Sequence, residues 1–209
     1  MNALAAAATI THWIFGAYLS DDRIGEHRYE LTERDGEIQL VADASFRVTV
    51  LRIPVFTYKH HVAERWRAGC LVEIRSQTRS GRTEWDVSGH IVDDTLEIEI
   101  HRDDEERHAS LDGCVASFAY WSADVLANRT QLLNGQTGEY ESVTVTRTPA
   151  TGDDPLTLTL EGGPFRIDVF YRASDSRWVG LDTTTEDDRR LVYRLESSGP
   201  GALVQSGSR

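Results

Sequence analysis

The chain has 209 residues, 40% of them hydrophobic and 27% charged, with a formal net charge of −12 and a pI of about 5.0. An acidic surface repels phosphate backbones and anionic headgroups, which argues against nucleic acid and acidic membrane surfaces as partners. No stretch approaches the roughly 20 apolar residues needed to span a bilayer, so membrane insertion is not expected.

Residues 1–10 are mildly apolar and carry no Lys or Arg ahead of the apolar run. They read as a lead-in to the first strand rather than as a secretory signal. From there the dominant pattern is two-residue alternation broken by short turns. Strands are predicted over 12–19 and 23–33, with Asp21-Asp22 as the turn between them. Asp35-Gly36 is a strong hairpin signal, and a long strand over 38–53 follows, ended or bent by Pro54. Strands over 55–67, 70–79, 82–92 and 95–102 are separated by Gly69, Ser80-Gly81 and Asp93-Asp94.

The charged stretch 103–112 is predicted to loop out. Over 116–129, Phe118, Trp121 and Val125 fall at helical spacing, and a short helix is predicted. A loop over 130–138 carries Gly135 and Gly138 as breakers. Further strands are predicted over 139–148, 156–161, 165–173, 177–184 and 191–196, and 197–209 is a Gly/Ser-rich, flexible tail.

No internal repeat and no linker divides the chain, so 1–209 is read as a single domain. A long meander with one apolar face must hide its edges. The expected fold is therefore all-β and mainly antiparallel: a closed or nearly closed β-barrel of about 10–11 strands plugged by one short helix. A two-layer β-sandwich is the alternative.

Cys70 and Cys114 lack CxxC spacing and sit near no His/Cys cluster, so no zinc site is expected. Two buried free thiols are the expectation, with a single disulfide as the alternative. The cytoplasm is the expected location, and the periplasm or the exterior the alternative.

Strand parity assigns faces. Over 55–67 the even positions Phe56, Tyr58, His60, Val62, Glu64 and Trp66 form the interior face, while the odd positions carry most of the charge. Over 23–33 His27, Tyr29 and Leu31 share the interior face, and over 82–92 Trp85 and Val87 do. His60 and Glu64 stand about 13 Å apart along one strand, too far to bond to each other but close enough to reach one bound molecule. A buried carboxylate is costly unless paired, protonated or wetted, which makes Glu64 a candidate site residue. Adjacent His60 and His61 point to opposite faces, and no HxH or HExxH spacing is present, so no metal is expected. No cofactor is expected either. Gly162-Gly163-Pro164 reads as a turn rather than a phosphate cradle, and the absence of GxSxG argues against a nucleophile-elbow hydrolase.

The segments Phe118-Ala119-Tyr120-Trp121 and Leu132-Leu133-Asn134-Gly135-Gln136-Thr137-Gly138-Glu139 resemble those of a bacterial family of uncharacterised proteins. The resemblance extends over nearly the whole chain. It takes in Ile24-Gly25-Glu26-His27, Tyr58-Lys59-His60 with Glu64-Arg65-Trp66, and a cysteine ahead of the aromatic segment, here Cys114. It implies a curved β-sheet or barrel wrapped on a helix, and no activity. Members of that family are usually exported.

The expected function is binding of a small, largely apolar molecule of lipid, isoprenoid or polyketide type inside the barrel. Trp13, Phe15, Tyr29, Phe56, Tyr58, Trp66 and Trp85 would line it. The alternative is a cofactor-independent isomerase, cyclase or hydrolase. There His60 or His27 would act as base or acid, Glu64 as partner and Tyr120 as donor to a developing oxyanion. A third possibility is a structural protein whose barrel is filled by its own side chains.

Overall fold

The computed structural model describes residues 8–50, 53–185 and 188–200, so the first part of the lead-in and the tail beyond 200 lie outside the described residues. The first half is an uninterrupted antiparallel meander: β1 (Thr9–Leu19), β2 (Asp22–Arg34), β3 (Glu37–Val50), β4 (Ile53–Arg67), β5 (Cys70–Ser80), β6 (Thr83–Val92), β7 (Thr95–Arg102) and β8 (Glu105–Asp112). Its tight turns use residues with positive φ at both central positions, as at Asp35-Gly36, Ala68-Gly69 and Asp93-Asp94. That geometry matches the right-handed twist of the flanking strands.

The chain then leaves the sheet through a segment spanning 113–143. This holds the single short helix α1 (Ala123–Leu126) and a small hairpin, β9 (Gln131–Leu133) and β10 (Tyr140–Ser142). A second meander follows, β11 (Thr144–Thr148), β12 (Leu156–Gly162), β13 (Phe165–Tyr171), β14 (Trp178–Thr184) and β15 (Arg190–Pro200). Because β15 pairs antiparallel with β1, the two meanders fuse into one 13-stranded sheet ordered β11-β12-β13-β14-β15-β1-β2-β3-β4-β5-β6-β7-β8.

The fold is thus all-β and antiparallel, as the alternation predicts. The sheet is not closed: among the described residues no ladder joins β8 to β11. Both outer strands are blunted by exposed polar residues, including Glu105, Glu106, Arg107 and His108 on β8 and Thr146, Arg147 and Thr148 on β11. Such edges resist pairing with another chain without needing to meet each other.

Three local expectations are corrected. Residues 103–112 form β8 rather than a loop. Ala109 and Leu111 sit opposite Ile98 and Leu96 and pack on the core, but the charges around them mask the alternation. The helix is shorter than predicted. Ala116 and Ser117 are extended and pair with Leu133, and Ser122 caps the helix N-terminus by accepting a hydrogen bond from the Val125 N–H. The Phe118–Trp121 stretch is therefore not helical. Finally, the first residues of the supposed tail are strand, with Ser197 opposite Ile14 and Pro200 opposite Thr11.

One main core unites both meanders and the crossing segment. Its largest fully buried side chains include Trp66, Trp178, Tyr171 and Phe15, each contributing roughly 1.5–3 kcal/mol by leaving water. Phe15 lies 4.1 Å from Trp178, centroid to centroid, across β15. Leu126, Leu132 and Leu133 from the crossing segment are fully buried against the inner face of the sheet. The Tyr171 hydroxyl donates to the Tyr120 carbonyl at 2.9 Å, tying that segment to β13.

Cys70 and Cys114 form a disulfide, Cα–Cα 4.9 Å, which corrects the expectation of free thiols. Their 44-residue separation hides the proximity, because Cys70 opens β5 and Cys114 follows β8. Arg129 clamps the same junction, donating to the carbonyls of Gly69, Cys114 and Val125.

Candidate functional site

The register lays the inward residues of neighbouring strands in rows. His27 on β2 stands opposite Ala44 on β3, Ala44 opposite His60 on β4, and His60 opposite Thr78 on β5. The small Ala44 side chain thus separates two imidazoles whose strands are about 10 Å apart. Along β4, His60, Val62, Glu64 and Trp66 are all buried, while Lys59, His61, Arg65 and Arg67 are exposed.

A cavity of about 590 Å³ lies between this face and the crossing segment. His27, Tyr29, His60 and Glu64 line it from β2 and β4, and Phe165, Ile167 and Thr183 from β13 and β14. Ser117, Phe118, Tyr120 and Trp121 line it from the crossing segment. Strands β4 and β13 are six places apart in the sheet, about 29 Å if it were flat. Both reach one cavity because the sheet curls.

Each polar group in the wall has a definite setting. Glu64 is 6% exposed and its Oε2 accepts the Trp66 Nε1 hydrogen at 2.9 Å. Burial pushes its carboxyl up, against the opposing hydrogen bonds with Ser117 and Trp66. Nδ1 of His60 bonds with the Thr78 hydroxyl at 2.9 Å. Burial, together with the nearby His61, takes His60 down to about 4, while Asp43 opposes the shift. Nδ1 of His27 meets the hydroxyls of Tyr29 at 3.0 Å and Tyr193 at 3.3 Å. Burial and then the proximity of His60 push His27 well below its usual range. Tyr29, Tyr120 and Tyr193 are pushed up by burial. At neutral pH these histidines and tyrosines are uncharged. Two buried nitrogens in the wall, His27 Nε2 and Trp121 Nε1, have no hydrogen-bond partner.

The rim is the Asn134–Glu139 turn. The Asn134 carbonyl accepts from the Gly138 N–H at 2.8 Å, and the Asn134 amide donates to Glu141 at 2.7 Å. Gly138 has φ +74°, and a Cβ there would lie 2.4 Å from the Ile100 side chain, so the turn requires glycine.

Of the residues singled out from sequence, His27, His60, Glu64, Tyr120 and Tyr29 line this cavity. The others stand elsewhere. Trp13, Phe15 and Trp66 are consumed by the core, where they pack against neighbours instead of enclosing space. Tyr58 stacks on Phe46 at 5.2 Å in a small second cluster. Phe56 is 39% exposed near the tip of the β3–β4 hairpin, beyond the reach of the core. Trp85 is half-buried and lines a separate depression with His60 and Thr78, its ring under the Arg102 guanidinium. Ser117, Trp121, Asn134 and Tyr193 were not singled out for the site. The signal that pointed toward two of them, Trp121 and Asn134, was the pair of motifs flanking α1.

Glu99, His101 and Glu106 form an acidic group on the outer face of the sheet, away from the cavity lining. His101 bonds there with Glu99 at 2.7 Å.

A family model for the domain of unknown function DUF6134 matches residues 15–196. The chain belongs to the DUF6134 family. Every residue lining the cavity lies within the span matched to DUF6134. No curated protein matches the chain.

Proposed function

We propose that this DUF6134 protein holds a small, largely apolar molecule between the inner face of its sheet and the crossing segment. The observation that carries the reading is the cavity of about 590 Å³, bordered by Leu40, Val62, Ile167 and Leu191 and by a few polar groups. That volume and mixture suit a ligand of lipid, isoprenoid or polyketide type. We read the curled sheet as an incomplete barrel wrapped on its own crossing segment. The disulfide supports an oxidising compartment, the periplasm or the exterior, over the cytoplasm.

Native mass spectrometry of protein purified from its own host is the test. A retained small molecule is expected, and Ile167→Trp, which grows into the cavity, should release it. Protein that carries nothing, and that binds nothing from a host lipid extract, would sink the reading.

One observation favours a second reading, cofactor-independent acid–base chemistry. Glu64 and His60 share one wall, the carboxyl pushed up by burial and the imidazole pushed down to about 4. Such opposed shifts are what an isomerase, cyclase or hydrolase needs at neutral pH. Glu64→Gln and His60→Gln would then abolish conversion of the retained molecule while leaving it bound.

A further inference from the structure

Three rings of the cavity wall gather round Phe118. It stands 6.1 Å from Tyr120 and 5.6 Å from Phe165, centroid to centroid, and all three residues line the cavity and keep part of their surface open. An aromatic face carries the negative side of the ring quadrupole and attracts a cation that comes within about 6 Å of its centre.

The charged residues lining the cavity beside these rings have one sign. Glu139 and Glu141 line the same cavity, and no Lys or Arg does. Glu139 is paired with Arg107 at 2.9 Å, in an ion pair about half exposed and screened by solvent. The Glu141 carboxylate meets the neutral Asn134 amide at 2.7 Å and has no Lys or Arg partner among the described residues. It lies close enough to Tyr120 to add to the upward push that burial and Tyr193 give that phenol. Carboxylate and rings therefore belong to one part of the wall. His27 and His60, pushed down by burial, add no positive charge at neutral pH. An entering anion would meet like charge and no counterion, whereas a cation would find both a carboxylate and ring faces.

We propose that the cavity takes a largely apolar ligand ending in an alkylated ammonium group, with the nitrogen seated on the Phe118, Tyr120 and Phe165 rings beside the Glu141 carboxylate. This rests on the reading of the cavity as a ligand site and names the head group of the ligand. Alkyl groups on the nitrogen suit ring faces because they leave few N–H donors to satisfy. The apolar wall supplies most of the affinity, and the charged end supplies orientation.

The test uses the full chain with its disulfide intact and three probes of matched chain length: octyltrimethylammonium, octanoate and octanol. Salt at about 0.15 M screens long-range attraction to the net charge of −12. Calorimetry should show one ammonium bound per chain, at least about tenfold tighter than octanoate and about threefold or more tighter than octanol. Glu141→Gln keeps an acceptor for the Asn134 amide and removes the charge. Affinity for the ammonium should fall about threefold to tenfold, while affinity for octanol holds. Glu30→Gln, on the exposed face of β2, removes the same net charge and should change neither. In the wild-type protein the N-methyl proton resonance should move upfield on binding and show Overhauser contacts to aromatic protons of the Phe118 cluster. This arm remains decisive if the Glu141 variant does not fold.

Equal or tighter binding of octanoate or octanol overturns the cationic head group and leaves the cavity reading standing. Equal losses in Glu141→Gln and Glu30→Gln would assign the attraction to net charge and overturn the role of Glu141. A bound ammonium without ring-current shift or aromatic contacts overturns the ring seat. If no probe binds, the inference fails, and the cavity reading fails with it only if the protein also retains nothing from its host.

Discussion

The Glu64 carboxyl receives the Trp66 indole hydrogen, bonds with Ser117 and stands opposite Leu40 and Ile74 on the adjacent strands. A neutral amide reproduces that pattern: its oxygen accepts from Trp66 and its NH₂ donates to the Ser117 hydroxyl. Glu64→Gln is therefore expected to change stability by less than about 1 kcal/mol at neutral pH. Glu64→Ala leaves the Trp66 donor orphaned and should cost about 1–3 kcal/mol. Urea melts of both variants check this, and equal losses would mean that the hydrogen bond contributes nothing. The inward direction of Glu64 was legible from parity alone, since it shares a face with Val62 and Trp66. The roles of Ser117 and Trp121 were not, because helical spacing across Phe118, Trp121 and Val125 pointed to a different backbone.

The crossing segment is positioned by a short run of bonds. The disulfide anchors Cys114 at the start of β5, the Leu71 N–H then donates to the Val115 carbonyl at 2.8 Å, and Ser117 bridges to Leu133 beside Glu64. This order sets where Tyr120 and Trp121 enter the cavity. Closing a loop between residues 44 apart restricts the unfolded chain by on the order of 4 kcal/mol. The double variant Cys70→Ser with Cys114→Ser should lose stability of that order in denaturant melts, and reductant should lower the wild-type melting temperature. A wild-type melt indifferent to reductant would show that the bond is dispensable. The hairpins of the first meander were readable because Asp-Gly and similar pairs announce them. Strand β8 was hidden because only Ala109 and Leu111 face inward there, amid exposed charge.

At the scale of the whole molecule, buried neutral groups tie stability to pH. His27 and His60 are both depressed, so below about 6.5 the unfolded chain takes up protons that the folded chain refuses. Stability should fall as pH drops from 6.5 toward the His60 value of about 4, by on the order of 3 kcal/mol for His60 alone. Glu64 acts with the opposite sign. Its raised carboxyl favours the folded state below the ordinary carboxylate range, and that contribution is lost as pH rises through the folded value. Melting temperatures across this range should therefore climb less steeply for His60→Gln than for wild type. Glu64→Gln should gain on the wild type as pH rises above the ordinary carboxylate range. A His60→Gln profile parallel to the wild type would mean that the imidazole titrates normally and is wetter than its surroundings imply.

By itself the sequence determined the all-β, antiparallel character, most strand positions and the inward faces of β2 and β4, because each depends on two-residue periodicity and local turn chemistry. Only the tertiary structure decided that β15 returns to β1, that the sheet stays open, that Cys70 meets Cys114, and that Trp66 fills core while Trp121 lines space. These outcomes depend on pairing between distant strands and on the path of one segment across the curled face. Parity states which way a side chain points, but it carries no information about what stands opposite.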